Sequence, residues 1–162
     1  MPQRIIDTHV HTDNSPDGHH SAMYMCERAE MAGLRAIAFT DHVEADAYRR
    51  DHYDRVALQS FIDVTKARSA FCGKLLVCAG VELGQPMYDV KTAEEILSNL
   101  PYDMVIGSVH NFKDEQDFMY LDYSQWDITD LLNRYFDELI KLSRWAKFDT
   151  FAHMTYPLRY IV

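Results

Sequence analysis

Long apolar runs are missing from this 162-residue sequence. None approaches the roughly 18 consecutive apolar residues of a membrane span. The opening Met1-Pro2-Gln3-Arg4 leads straight into a strand-like segment, without the apolar stretch of a secretory signal. The expectation is a cytoplasmic protein with no membrane partner. Basic residues are also short, 16 Lys and Arg against 25 Asp and Glu, for a formal charge of −9. That leaves no positive footprint for a phosphate backbone and argues against nucleic acid as a partner. Cysteine is scarce and unpatterned: Cys26, Cys72 and Cys78 are odd in number and lack CxxC spacing. Neither a disulfide framework nor a zinc finger is expected, and all three read as small buried hydrophobes. Internal repeats, low-complexity tracts and linkers are absent too, so one domain is expected over residues 1–162.

What is present is the composition of a soluble globular chain, 48% apolar and 25% charged. Between Arg4 and His11, Ile6, Thr8 and Val10 alternate with Asp7, His9 and His11, the period of two of a strand. Ser21 is placed to cap a helix over Ala22–Ala32, and Gly33 to stop it. A buried strand over Arg35–Thr40, a helix over Arg55–Phe71 and an apolar run over Leu75–Val81 follow. The pattern repeats with a helix over Thr92–Leu100, a strand over Met104–Val109, an amphipathic helix over Ile128–Trp145 and a strand over Phe148–His153. This alternation predicts an α/β protein with a parallel sheet.

Placed on those elements, the polar residues form a pattern. His9 and His11, two apart on a strand, leave from one face and can close on one ion. His42, Glu82, His110 and His153 each end a predicted strand. Singly, each could be a loop cap, a solvated strand end or a hydrogen-bonded edge histidine. The C-terminal ends of parallel strands are where barrel folds assemble sites, and five such coincidences together point to a metal site.

The segments DTHVHTDNSPDG, AEMAGLRAIAFTDH, GVELG, YDMVIGSVH and FAHMTYPLRY resemble the successive motifs of the PHP superfamily, in the order found in its histidinol-phosphatase branch. The resemblance implies a PHP metallophosphoesterase domain of distorted (β/α)7, TIM-barrel type. It also implies a cluster of up to three transition-metal ions, zinc, manganese or iron, and hydrolysis of phosphomonoesters. By position, His9, His11 and Glu82 would hold one ion. Glu82 would bridge to a second on His110 and His153, and Asp17 with His42 would serve a third. His19 or His20 could replace Asp17, although both also read as solvated loop histidines. Arg159 falls where the branch carries a phosphate-binding arginine; the alternative is a surface residue.

The small phosphorylated substrate implied is L-histidinol phosphate, placing the chain in histidine biosynthesis. Alternatives are another phosphoester, or a catalytically impaired metal-binding remnant. Family members continue past the AH motif to a DxH segment, so this chain is expected to be truncated after about five β/α units. Self-association through the open barrel side is expected to follow.

Overall fold

The structure, a computed structural model, describes residues 5–161. Strand β1 (Ile6–Val10) leads to helix α1 (Ala22–Met31), strands β2 (Ala36–Phe39) and β3 (His42–Glu44), and helix α2 (Tyr53–Ala70). Strand β4 (Leu76–Gly84), helix α3 (Val90–Asn99), strand β5 (Met104–Ser108), helix α4 (Ile128–Trp145) and strand β6 (Thr150–Phe151) complete the alternation. Every strand pairing in the sheet is parallel, in the order β1-β2-β4-β5-β6, with β3 also paired to β4. Ala36–Phe39 face Leu76–Ala79, and His42–Glu44 face Glu82–Gly84. β2 and β3 are therefore one strand path, interrupted at Thr40 and Asp41.

β1 and β6 stand at opposite ends of that order. In a flat sheet, four interstrand steps would separate them by roughly 19 Å. The rings of His9, on β1, and His153, just past β6, nevertheless have centroids 5.9 Å apart. The sheet is thus curled into a half-barrel of TIM-like type, with its strand C-terminal ends gathered at one mouth.

Local sequence explains the elements. The Ser21 hydroxyl accepts from the Tyr24 amide at the start of α1, and Gly33 takes φ +79 just past its end. Asp89 and Asp127 cap α3 and α4 through the amides of Thr92 and Asp130, each at 3.0 Å. Along β4, Val77, Ala79, Val81 and Leu83 point outward into apolar clusters under the helices, whereas Glu82 points to the inner face. Leu131, Tyr135, Leu139 and Leu142 seat α4 in a third cluster.

Three expectations need correction. Glu82 does not end its strand; it is the seventh of nine residues of β4, because the chain stays extended to pair with β3 and β5. His42 likewise opens β3 rather than ending β2. Of the cysteines, only Cys26 is buried; Cys78 is half-buried and Cys72, in the turn after α2, is exposed.

Candidate metal centre

Strand polarity brings the predicted residues together. His9 and His11 come from the end of β1, His42 from β3, Glu82 from β4, His110 from just beyond β5 and His153 from just beyond β6. Glu82 is at the centre and fully buried. Its Oε2 faces His9 Nε2 at 3.5 Å, His11 Nε2 at 3.0 Å and His42 Nδ1 at 3.5 Å. Its Oε1 faces His110 Nε2 at 3.1 Å and His153 Nε2 at 3.3 Å. Burial alone would raise the pKa of this carboxyl, but His11, His110 and His153 together hold it well below the usual carboxylate range.

Asp17 reaches the cluster from the loop after β1. Its Oδ1 lies 2.8 Å from His11 Nδ1 and 3.7 Å from His42 Nε2. His42 and His11 lower its pKa against a smaller opposing effect of burial. His19 and His20, the alternatives on that loop, are exposed. His9 pairs its Nδ1 with the Thr40 hydroxyl at 2.7 Å, and burial lowers the pKa of His9.

The spacing argument missed one carboxylate. Glu44 Oε1 lies 3.2 Å from His42 Nδ1 and 3.0 Å from His110 Nδ1. The signal was the segment HVE, in which His42 and Glu44 are two apart on a strand and share a face. Thr40 was missed for a different reason: a hydroxyl carries no ligand signature.

The donor set suits a borderline transition metal. Three groups place one donor atom from each residue within 4.8 Å of the others: His9, Glu82 and His153; His11, His42 and Glu82; and His42, Glu44 and His110. One detail tests the fit. His11 Nε2 and Glu82 Oε2 are buried and only 3.0 Å apart, yet neither makes a hydrogen bond. Two buried polar atoms left without partners are costly in a bare protein, and a cation between them would satisfy both.

An open cleft of about 920 Å³ lies over the cluster, bordered by Asp17, Tyr53, Tyr156 and Arg159. Tyr156 stacks on His153, with centroids 4.7 Å apart. Arg159 is exposed, with its guanidinium carbon 5.7 Å from the Tyr156 ring centre.

Comparison with known proteins addresses the family and the fold. The PHP domain family matches residues 7–161. A probable histidinol-phosphatase of Deinococcus radiodurans is 26% identical over 167 residues, covering 96% of this chain and 62% of the relative. A histidinol-phosphatase of Lactococcus lactis is 22% identical over 157 residues, covering 96% and 58%. The chain therefore spans about three fifths of the length of the curated relatives it matches. A crystal structure of histidinol phosphate phosphatase from Lactococcus lactis, complexed with zinc, L-histidinol and phosphate, superposes with a TM-score of 0.74 at 20% identity. The match covers 95% of this chain and 59% of that one. With nearly its whole length matched by the family, the chain belongs to the PHP domain family.

Proposed function

We propose that this chain carries the metal centre of a phosphomonoester hydrolase of the histidinol-phosphatase type, releasing phosphate from L-histidinol phosphate. The observation that carries the reading is the buried Glu82 carboxylate, faced by five imidazoles from four strand ends. The named activities of the relatives supply the substrate.

In this reading Glu82 is the bridging ligand. Its two oxygens face different histidine pairs, Oε2 towards His9 and His11 and Oε1 towards His110 and His153. A carboxylate dividing its oxygens in this way would hold two cations and offset their repulsion. Asp17 and His42, 3.7 Å apart beside the same cluster, would hold a third ion. Bound zinc, manganese or iron(II) would supply charge neutralisation for the phosphate and a water acidic enough to attack phosphorus.

The remaining roles fall to the chain itself. Arg159, on the rim of the cleft, donates its planar fork to two phosphate oxygens and turns the ester towards the cluster. Tyr156, stacked on His153 at the border of the cleft, would steady that imidazole. Overall, water adds to phosphorus, the ester P–O bond breaks, and the alcohol leaves with a proton.

The test is phosphate release from L-histidinol phosphate by metal-loaded protein, alongside a panel of other phosphomonoesters. Chelation should abolish release, and zinc or manganese should restore it. Undiminished turnover by metal-free protein would overturn the reading, and a stronger response to another ester would reassign the substrate.

A further inference from the structure

Glu44 differs from the other acidic groups of the cluster in how its oxygens are used. Oε1 accepts from two imidazoles at once, His42 Nδ1 and His110 Nδ1, both with hydrogen-bond geometry. The His11–Glu82 pair at a similar distance has none. Oε2 is committed as well. With its nitrogen turned to Oε2 the Gln85 amide donates to it, while the Gln85 oxygen accepts from the backbone N–H groups of His110 and Asn111 at 3.2 Å each; in the opposite orientation that nitrogen donates to Asn111 Oδ1 instead. Gln85 is itself 2% exposed and held at φ 48, a left-handed conformation. Gly84 leaves the space, since a Cβ there would lie 1.7 Å from Oε2. The carboxylate is therefore seated in a cradle from β4 and the segment after β5.

A carboxylate oxygen only accepts, so sharing it between two Nδ1 atoms requires each to carry its proton. In the metal-free chain His110 Nε2 also hydrogen-bonds Glu82 Oε1 at 3.1 Å, and His42 Nε2 faces Asp17 at 3.7 Å; with Nδ1 held by Glu44, Nε2 is the nitrogen that would give up its proton to a cation. We infer that Glu44 is a positioning residue. Its one oxygen fixes the tautomer and orientation of two imidazoles on different strand paths, so that each presents Nε2 to the cluster. This rests on the metal-centre reading proposed above. Carboxylates behind ligating histidines orient the ring and raise its basicity, and their loss weakens metal binding about 10- to 100-fold.

The experiment compares the wild-type chain with Glu44→Gln, Glu44→Ala and Gly84→Ala, the last displacing the carboxylate without deleting it. Zinc affinity is measured by chelator competition and zinc content by elemental analysis. Ring-nitrogen tautomers of the zinc-loaded proteins are read from long-range proton–nitrogen NMR, and circular dichroism checks the fold. The expected result is unchanged zinc content with affinity reduced about 10- to 100-fold. Glu44→Gln should be the mildest variant, because its amide oxygen still accepts one N–H. The Nδ1–H signature of His42 and His110 should be lost in Glu44→Ala. Loss of a whole ion in every variant would make Glu44 a direct ligand and overturn the inference. Unchanged affinity and tautomers would overturn it too. Failure of the wild-type chain to bind zinc would overturn the metal-centre reading beneath it, and is distinguished because the variants are scored against a wild type that binds.

Discussion

Burial alone would lower the pKa of His42, but Asp17 and Glu44 on either side raise it to about 10 in the metal-free chain. His110 is raised well above its usual value by Glu44 and Glu82 against the effect of burial. Glu44, which burial would push up, is held at about 2 by His110 and His42. The linkage has a definite sign. A raised imidazole contributes stability that is complete below its unfolded value of 6.5 and lost as pH rises through about 10. A lowered carboxyl contributes stability present above 4.5 and lost as pH falls through about 2. Metal-free protein should therefore be most stable between those unfolded values and weaken towards pH 10. Cations need the same imidazoles neutral, so zinc stabilisation should run the other way and grow as pH rises, with protons released on zinc addition. Urea melts with chelator and with zinc between pH 6 and about 10 check this, and a zinc-induced shift that ignores pH would contradict it. At this scale the sequence was most legible where strand ends and period-two spacing coincide, as at His9 and His11. It was least legible at Thr40 and Glu44, whose roles come from the ring nitrogens they meet across the sheet.

Between the first two strands, the loop that delivers Asp17 is held by a residue outside the candidate ligand set. Asp41 is 2% exposed. It accepts from the Thr12 amide at 2.7 Å, the Thr12 hydroxyl at 2.8 Å, the Ser15 hydroxyl at 2.6 Å and the Ser60 hydroxyl of α2. Ser15 Oγ in turn accepts from the amide of His42. The knot ties the loop after β1, the break between β2 and β3, and α2 into one unit. Asp41→Ala would strand several buried donors, and the expected loss is on the order of 3 kcal/mol in urea unfolding, with faster proteolysis in the loop. A loss under about 0.5 kcal/mol, the scale of a surface substitution, would show that the knot carries no stability. Helices were the legible elements: α4 has the predicted bounds, Ile128–Trp145, because its caps and apolar stripe are local in sequence. Strand boundaries were not. β4 runs on past Glu82 and β6 shrinks to Thr150–Phe151 because pairing partners, which no local pattern encodes, decide where a strand stops.

For the whole molecule, the curl that assembles the cluster also leaves edges. Among the described residues, β1 pairs only with β2 and β6 only with β5. Ile5 and Ile6, in and beside the β1 edge, are 46% and 58% exposed, and Leu76, on the inner face at the foot of β4, is 63% exposed. Unpaired backbone groups beside exposed apolar side chains are a template for pairing with another chain. The 162-residue chain is therefore predicted to self-associate through this open side. Light scattering should show mass rising with protein concentration, and Ile6→Lys, which places a charge on the edge, should reduce the rise. The metal cluster provides the internal control, since Ile6 is not among the residues that meet Glu82. A variant that stays monomeric while binding zinc as wild type does would localise association to the edge. A wild-type chain that remains monomeric at high concentration would refute the prediction, and would mean that the exposed strand tolerates water as it stands.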